Sequence, residues 1–230
     1  MGIAENLQKI RAEIAAAAEA AGRRPEEITL VGASKMNDAA ACREAIAAGI
    51  DALGENKVQE LLGKYEQGAY EGAPLHFIGH LQRNKVRQIV GKVELIHSVG
   101  SLSLLEEIDK RAAQLGIVQK VLLEVNIGGE ESKSGFAPAE LKEAAARARE
   151  FSNVRVLGLM AIPPVAVEEH GNRPYFEAVS RLYVDINQNL YDNNFIYLSM
   201  GMSDDFGDAI AAGANMVRIG SAIFGARHYN

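Results

Sequence analysis

A few polar side chains fall where an otherwise apolar sequence has no structural need of them. Lys35 closes the run Ile-Thr-Leu-Val-Gly-Ala-Ser that begins at Ile28. Arg218 sits between Val217 and Ile219, and Gly220-Ser221 follow it at once. Ser199 and Ser203 bracket Met200-Gly201-Met202. A lysine taken out of water gives up part of its preference for the charged form, and a neutral amine attacks carbonyls. Glycines let backbone N–H groups approach an anion, and serine hydroxyls add donors. A buried arginine offers five donors and no acceptor, so it must find acceptors. The chemistry these residues suit is capture of a carbonyl on a molecule held by its phosphate. Each also has a plain structural role open to it. Lys35 can snorkel to a rim, Ser203 can N-cap a helix at Asp204-Asp205, and Arg218 can ion-pair, with Glu124 the candidate partner.

Other reactive types carry less. His76 and His80 are four apart, with no carboxylate or cysteine at ligand spacing, so they read as core or loop histidines and no metal site is expected. His97, His170 and His228 have no companions in the sequence. Cys42 reads as a small apolar residue in an Ala-rich helix, Lys57 and Lys85 as solvated residues at helix starts. No Ser-His-Asp set is readable.

Positioning such residues requires elements, and the chain repeats one unit: a short apolar strand, then a helical stretch. Strands are expected at 28–34, 50–54, 75–79, 93–99, 120–127, 154–160, 195–200 and 216–220. Helices are expected near 38–48, 56–66, 82–91, 101–115, 138–151, 175–190 and 204–212, with Asp38 as an N-cap. An additional helix over 4–21, rich in Ala, Glu and Lys and stopped by Gly22, precedes them. Strands alternating with helices pair in parallel through right-handed crossovers. Eight such units predict an α/β fold, a (β/α)8 TIM barrel with an extra N-terminal helix, as a single domain over 1–230. A doubly wound sheet is the alternative, weakened by the lack of GxGxxG after the first strand. The longest irregular stretches, 128–138 and 161–174, both follow strands and so belong on the C-terminal face of a barrel, where sites form. On strand eight, period two puts Met216, Arg218 and Gly220 on one face and Val217 and Ile219 on the other, which aims Arg218 into the barrel mouth.

Composition excludes several partners. The 230 residues are 48% hydrophobic and 23% charged, with a net charge of −6. Interspersed signs and an acidic balance argue against a nucleic-acid surface. No apolar run reaches membrane-spanning length, and the first residues lack a basic segment followed by an apolar one. A single cysteine can form no internal disulfide, so a cytoplasmic setting is expected. The partner expected is a small molecule, with no nucleic acid and no membrane, and the chain is expected to act as a monomer or weak dimer.

A lysine on strand one, a cradle after strands seven and eight and an arginine on strand eight together fit pyridoxal 5'-phosphate. The chain resembles the pyridoxal phosphate homeostasis protein family, a single-domain relative of the alanine racemase barrel. The resemblance is carried by Ser34-Lys35, Gly54-Glu55-Asn56-Lys57-Val58-Gln59-Glu60, His76-Phe77-Ile78-Gly79-His80-Leu81-Gln82-Arg83-Asn84-Lys85, Gly158-Leu159-Met160-Ala161-Ile162, Leu198-Ser199-Met200-Gly201-Met202-Ser203-Asp204 and Val217-Arg218-Ile219-Gly220-Ser221-Ala222-Ile223-Phe224-Gly225. It implies Lys35 as the Schiff-base lysine, Ser199, Met200, Gly201, Gly220 and Ser221 around the phosphate, Arg218 at the pyridine nitrogen, and Asn56 and Met160 near the ring. Lys57 stands where the family usually has tyrosine, and Gly100 where it usually has an acid.

Function follows from Arg218. An arginine at the pyridine nitrogen keeps that nitrogen unprotonated and the ring a weak electron sink. A racemase also needs a base on each face of the α-carbon. Lys35 serves one, and with nine residues after Ser221 no second domain is expected to supply the other. The expectation is a protein that buffers or delivers pyridoxal 5'-phosphate, with no catalytic residues assigned and apo-enzymes as possible recipients. The alternatives are a small amino-acid racemase and a Schiff-base aldolase that uses Lys35 on a sugar phosphate.

Overall fold

The structure is a computed structural model that describes residues 2–130 and 133–225. Its eight strands are β1 (Thr29–Ala33), β2 (Ala52–Glu55), β3 (Leu75–Phe77), β4 (Leu95–Val99), β5 (Gln119–Val125), β6 (Val154–Ala161), β7 (Tyr197–Ser199) and β8 (Met216–Ile219). Each pairs in parallel with the next, and β8 pairs with β1 to close a barrel, with Val31 opposite Arg218 and Gly32 opposite Ile219. The helices are α1 (Ile3–Ala20), α2 (Ala39–Ala47), α3 (Val58–Tyr65), α4 (Val86–Ile89), α5 (Leu102–Leu115), α6 (Leu141–Ala148), α7 (Arg173–Leu190), α8 (Phe206–Ala211) and α9 (Ser221–Phe224). The expected barrel and its extra N-terminal helix are both present.

Local signals account for most boundaries. The Asp38 side chain accepts from the Ala41 N–H at 2.8 Å and starts α2. Gly22, at φ 69°, lies just past the end of α1. α1 buries Leu7, Ile10, Ile14 and Ala18, one face at helical spacing, and packs against α8, α9 and α2. Asn6 ties it to α9 by donating to the Ile223 carbonyl at 2.9 Å.

Three elements differ from expectation. The helix expected near 82–91 is a 3-10 turn over Arg83–Lys85 followed by a single α-turn, Val86–Ile89. α8 begins at Phe206, because the Asp205 carboxylate turns back to accept from the Met202 N–H at 2.7 Å, which makes 202–205 a turn. Ser203 therefore caps no helix. α9 was not expected: four residues are too few to show helical periodicity.

Two cores divide at the barrel wall. Outside it, the strands' outward residues (Leu30, Leu53, Phe77, Ile96, Leu123, Leu159, Leu198, Val217 and Ile219) pack against the helices. Inside, Val31, Ala52, Leu95, Leu122, Leu157, Met160 and Met216 fill the barrel as a smaller cluster. Alternation along each strand thus places Ala33, His76, His97, Glu124, Ser199 and Arg218 inward, in phase with this filling.

Gly158 carries a constraint of its own. It has φ 147°, and a Cβ there would lie 1.8 Å from the Tyr197 carbonyl oxygen on β7. Gly63, in α3, faces open space. We expect Gly158→Ala to cost more than about 3 kcal/mol and Gly63→Ala to stabilise by roughly 0.5–1 kcal/mol, read from urea unfolding. Equal effects would refute the packing described.

Candidate functional site

Lys35 lies two residues past β1, half-buried, at the mouth formed by the strands' C-terminal ends. Ser34 is fully buried, and Lys35 opens a turn over 34–37 closed by the Asn37 N–H donating to the Ser34 carbonyl at 3.1 Å. Ser34 donates to Glu55 Oε1 at 2.5 Å. Lys64, from α3, donates to the same carboxylate oxygen at 2.6 Å and to the Ser34 carbonyl oxygen at 2.8 Å. Tyr70 adds a third donor to Glu55 Oε1 at 3.1 Å. This buried knot clamps the backbone just before Lys35. The next residue, Met36, sits in the left-handed region at φ 63°, and its N–H donates to Glu60 at 2.8 Å. Lys57, expected to be merely solvated, ion-pairs with Glu60 at 3.5 Å and so supports that turn.

Asn56 follows β2 and is half-buried. Its backbone is crowded by Gly79, where a Cβ would come within 2.2 Å of the Asn56 carbonyl oxygen. Asn56 Oδ1 is buried with no partner among the described residues. Met160 is fully buried inside the barrel, level with Ser199 across the β6–β7 pairing. Met200 is buried outside the wall against the helices, and what it presents inward is backbone. Gly201 adopts φ 92° with its carbonyl accepting from the Arg218 N–H at 3.0 Å. Gly220 is half-buried beside Ala33 of β1, and Ser221, exposed, begins α9. The ends of β1, β7 and β8 therefore bring Lys35, Gly201, Gly220 and Ser221 to one side of the mouth.

Arg218 is 4% exposed. Its Nη1 donates to Ser199 Oγ at 2.7 Å and its Nη2 to the Ala161 carbonyl at 3.1 Å. The Glu124 ion pair offered by the sequence does not form among the described residues; the Glu124 carboxylate accepts from the Ser134 hydroxyl at 2.9 Å. Burial lowers the Arg218 pKa to about 10, still cationic at neutral pH, and raises that of Glu124. Gly100 admits the backbone of Gly135: a Cβ there would lie 2.6 Å from the Gly135 nitrogen.

His97 and His170 do have companions, brought by strand neighbours and by a loop. His97 Nδ1 meets Ser199 Oγ at 3.1 Å, and its Nε2 meets His76 Nδ1 at 3.1 Å. His170, exposed on the β6–α7 connection, meets the Asp208 carboxylate at 2.8 Å, which raises its pKa. His228 lies outside the described residues, as do residues 131–132 of the irregular stretch after β5. The knot at Glu55 was also missed. Its sequence signal is weak: an acid closing an apolar strand and a lysine on the inner face of the next helix.

This closed parallel barrel is matched over residues 6–228 by the alanine racemase N-terminal domain family. The pyridoxal phosphate homeostasis protein of Aquifex aeolicus is 46% identical over 100% of both chains. That of Escherichia coli K12 is 43% identical over 99% of this chain and 98% of its own. The chain therefore belongs to the pyridoxal phosphate homeostasis protein family. The structure of PipY from Synechococcus elongatus PCC7942 with PLP bound superposes with a TM-score of 0.84 at 33% identity, over 97% of this chain and 100% of PipY. No described helix is long and apolar enough to cross a membrane.

The residues present fit pyridoxal 5'-phosphate. A cationic guanidinium with donors to spare is buried in the barrel, an orphaned acceptor sits at Asn56, and a lysine stands at the mouth.

Two outcomes follow from the buried groups. Lys64→Met leaves Glu55 charged, buried and unpaired, and we expect a loss of about 3–5 kcal/mol in urea unfolding, with a smaller loss when Glu55→Gln is added. A single-variant loss below about 1 kcal/mol would mean the pair is not buried as described. Burial also pushes His76 from 6.5 down to about 4 and His97 well below the imidazole range. The unfolded chain then binds more protons than the folded one between pH 6.5 and about 4, so stability falls as pH drops through that window. His76 alone contributes a loss of roughly 3 kcal/mol by pH 4, and urea midpoints measured from pH 7 to 4 should show a shallower slope in His76→Asn.

Proposed function

We propose that this chain holds pyridoxal 5'-phosphate at Lys35 as a Schiff base and releases it to enzymes that need it, without appreciable turnover of amino acids. The buried single cysteine, Cys42, suits work in the reducing cytoplasm. The observation that carries the reading is the buried, cationic Arg218 on β8 of a barrel in which Lys35 follows the first strand by two residues. The names of the relatives and the bound PLP of PipY point the same way.

When bound, the cofactor supplies an aldehyde that a primary amine takes up and a ring that withdraws electrons. Lys35 provides the amine, and the knot at Glu55 fixes the backbone from which it reaches. Asn56 and Met160 would flank the ring. Gly201, Gly220 and Ser221, with the backbone of Ser199 and Met200, would surround the phosphate. Arg218 carries donors only, so it would hold the ring nitrogen in its unprotonated, accepting form. That limits electron withdrawal and disfavours removal of an α-proton, which favours a carrier over a racemase.

Borohydride reduction of the loaded protein should place the cofactor on Lys35, and Lys35→Ala should abolish the adduct. Pyridoxal without its phosphate should bind far more weakly, and Ser221→Ala should cost about 1.5–3 kcal/mol of affinity. Alanine in heavy water should gain no α-deuterium at rates near 1 per second. Label on Lys57 or Lys85, or exchange at that rate, would overturn the assignment or the carrier role respectively.

A further inference from the structure

Four inward-facing polar side chains, from β3, β4, β7 and β8, form one unbroken chain inside the barrel: His76, His97, Ser199 and Arg218. They are 5%, 0%, 0% and 4% exposed. The same layer of a barrel that only had to be filled would carry branched apolar side chains, as the layer of Val31, Leu95 and Leu122 does here.

The donors run one way. Arg218 can only donate, so Ser199 Oγ accepts at 2.7 Å. The Ser199 hydroxyl hydrogen is then left for His97 Nδ1, 3.1 Å away. His97 Nδ1 is therefore bare and its proton sits on Nε2, which donates to His76 Nδ1 at 3.1 Å. The reverse order would have Ser199 accept twice, with its own hydrogen unused in a place no water reaches. Both histidines must be neutral for Nδ1 to accept, and burial keeps them so.

We propose that His76 and His97 are positioning residues for the cofactor, the one-way chain from Arg218 through Ser199 pinning the guanidinium so that its remaining N–H groups serve the ring nitrogen. The Ser199 hydroxyl then acts through Arg218 and not on the phosphate. This role rests on the function proposed above.

The test has an arm that needs no cofactor. In the cofactor-free protein, 15N-histidine NMR at neutral pH should show the Nε2–H tautomer at both His76 and His97. An Nδ1–H tautomer or an imidazolium at either overturns the proposal. The second arm compares pyridoxal 5'-phosphate with its 1-deaza analogue, whose ring has carbon in place of the nitrogen. His97→Phe should weaken binding of the natural cofactor about tenfold and leave the analogue within about twofold. His97→Asn, whose amide oxygen stands near the place of Nδ1 and accepts from Ser199, should recover most of the loss. Equal penalties on both ligands would reduce the chain to a structural feature and overturn the role while the function stood. Should His97→Phe fail to fold, Ser199→Ala carries the same comparison. A wild type that takes up no pyridoxal 5'-phosphate, with the tautomers as stated, would sink the function and this role with it.

Discussion

The buried pair of Glu55 and Lys64 is what the site hangs from. Both groups are out of water, 2.6 Å apart, and Lys64 reaches past the carboxylate to hold the Ser34 carbonyl. Two charges removed from solvent are expensive, and their attraction recovers the cost only with good geometry and further hydrogen bonds. Here the serine hydroxyl and the Tyr70 phenol supply those bonds. An apolar contact would close the same space without specifying where along β1 the chain must stop. The ion pair fixes the end of β1 to the end of β2 and to α3 at once. With Ser34 held, the turn that carries Lys35 starts at a fixed point on the rim of the mouth.

The wall of the barrel separates two kinds of design. Outside it, packing is apolar and continuous from strand to helix. Inside, apolar filling at the lower level gives way to the histidines, Ser199 and Arg218, then to the mouth with Lys35 and Glu124. A buried cation and two buried imidazoles reduce stability unless each finds partners, and each does. Such a polar layer is conformationally specific: a rotamer change in any member leaves a neighbour unsatisfied.

How much of this was legible in the sequence follows from the range of each interaction. The eight strands, the extra helix and the placement of Lys35 and Arg218 were readable because alternation and caps are local and the apolar runs are short and repeated. Arg218 could be aimed inward from its neighbours Val217 and Ile219 alone. The helix over 82–91 and the start of α8 were misjudged because a 3-10 turn and a side chain folding back at Asp205 leave no periodic trace.

What the sequence by itself determined is therefore the barrel, the residue types at its mouth and the family it belongs to. What only the tertiary structure decided is which polar groups share a bond. His76 and His97 are 21 apart, His97 and Ser199 are 102 apart, and Ser34 and Lys64 are 30 apart. No periodicity links such positions. They meet because β3 and β4 are neighbours in the sheet, because a closed barrel lets β4 and β7 face each other across its axis, and because α3 folds back over β1 and β2. Arg218 meets Ser199 because β7 and β8 are neighbouring strands, and Ser134 reaches Glu124 from the connection that follows β5.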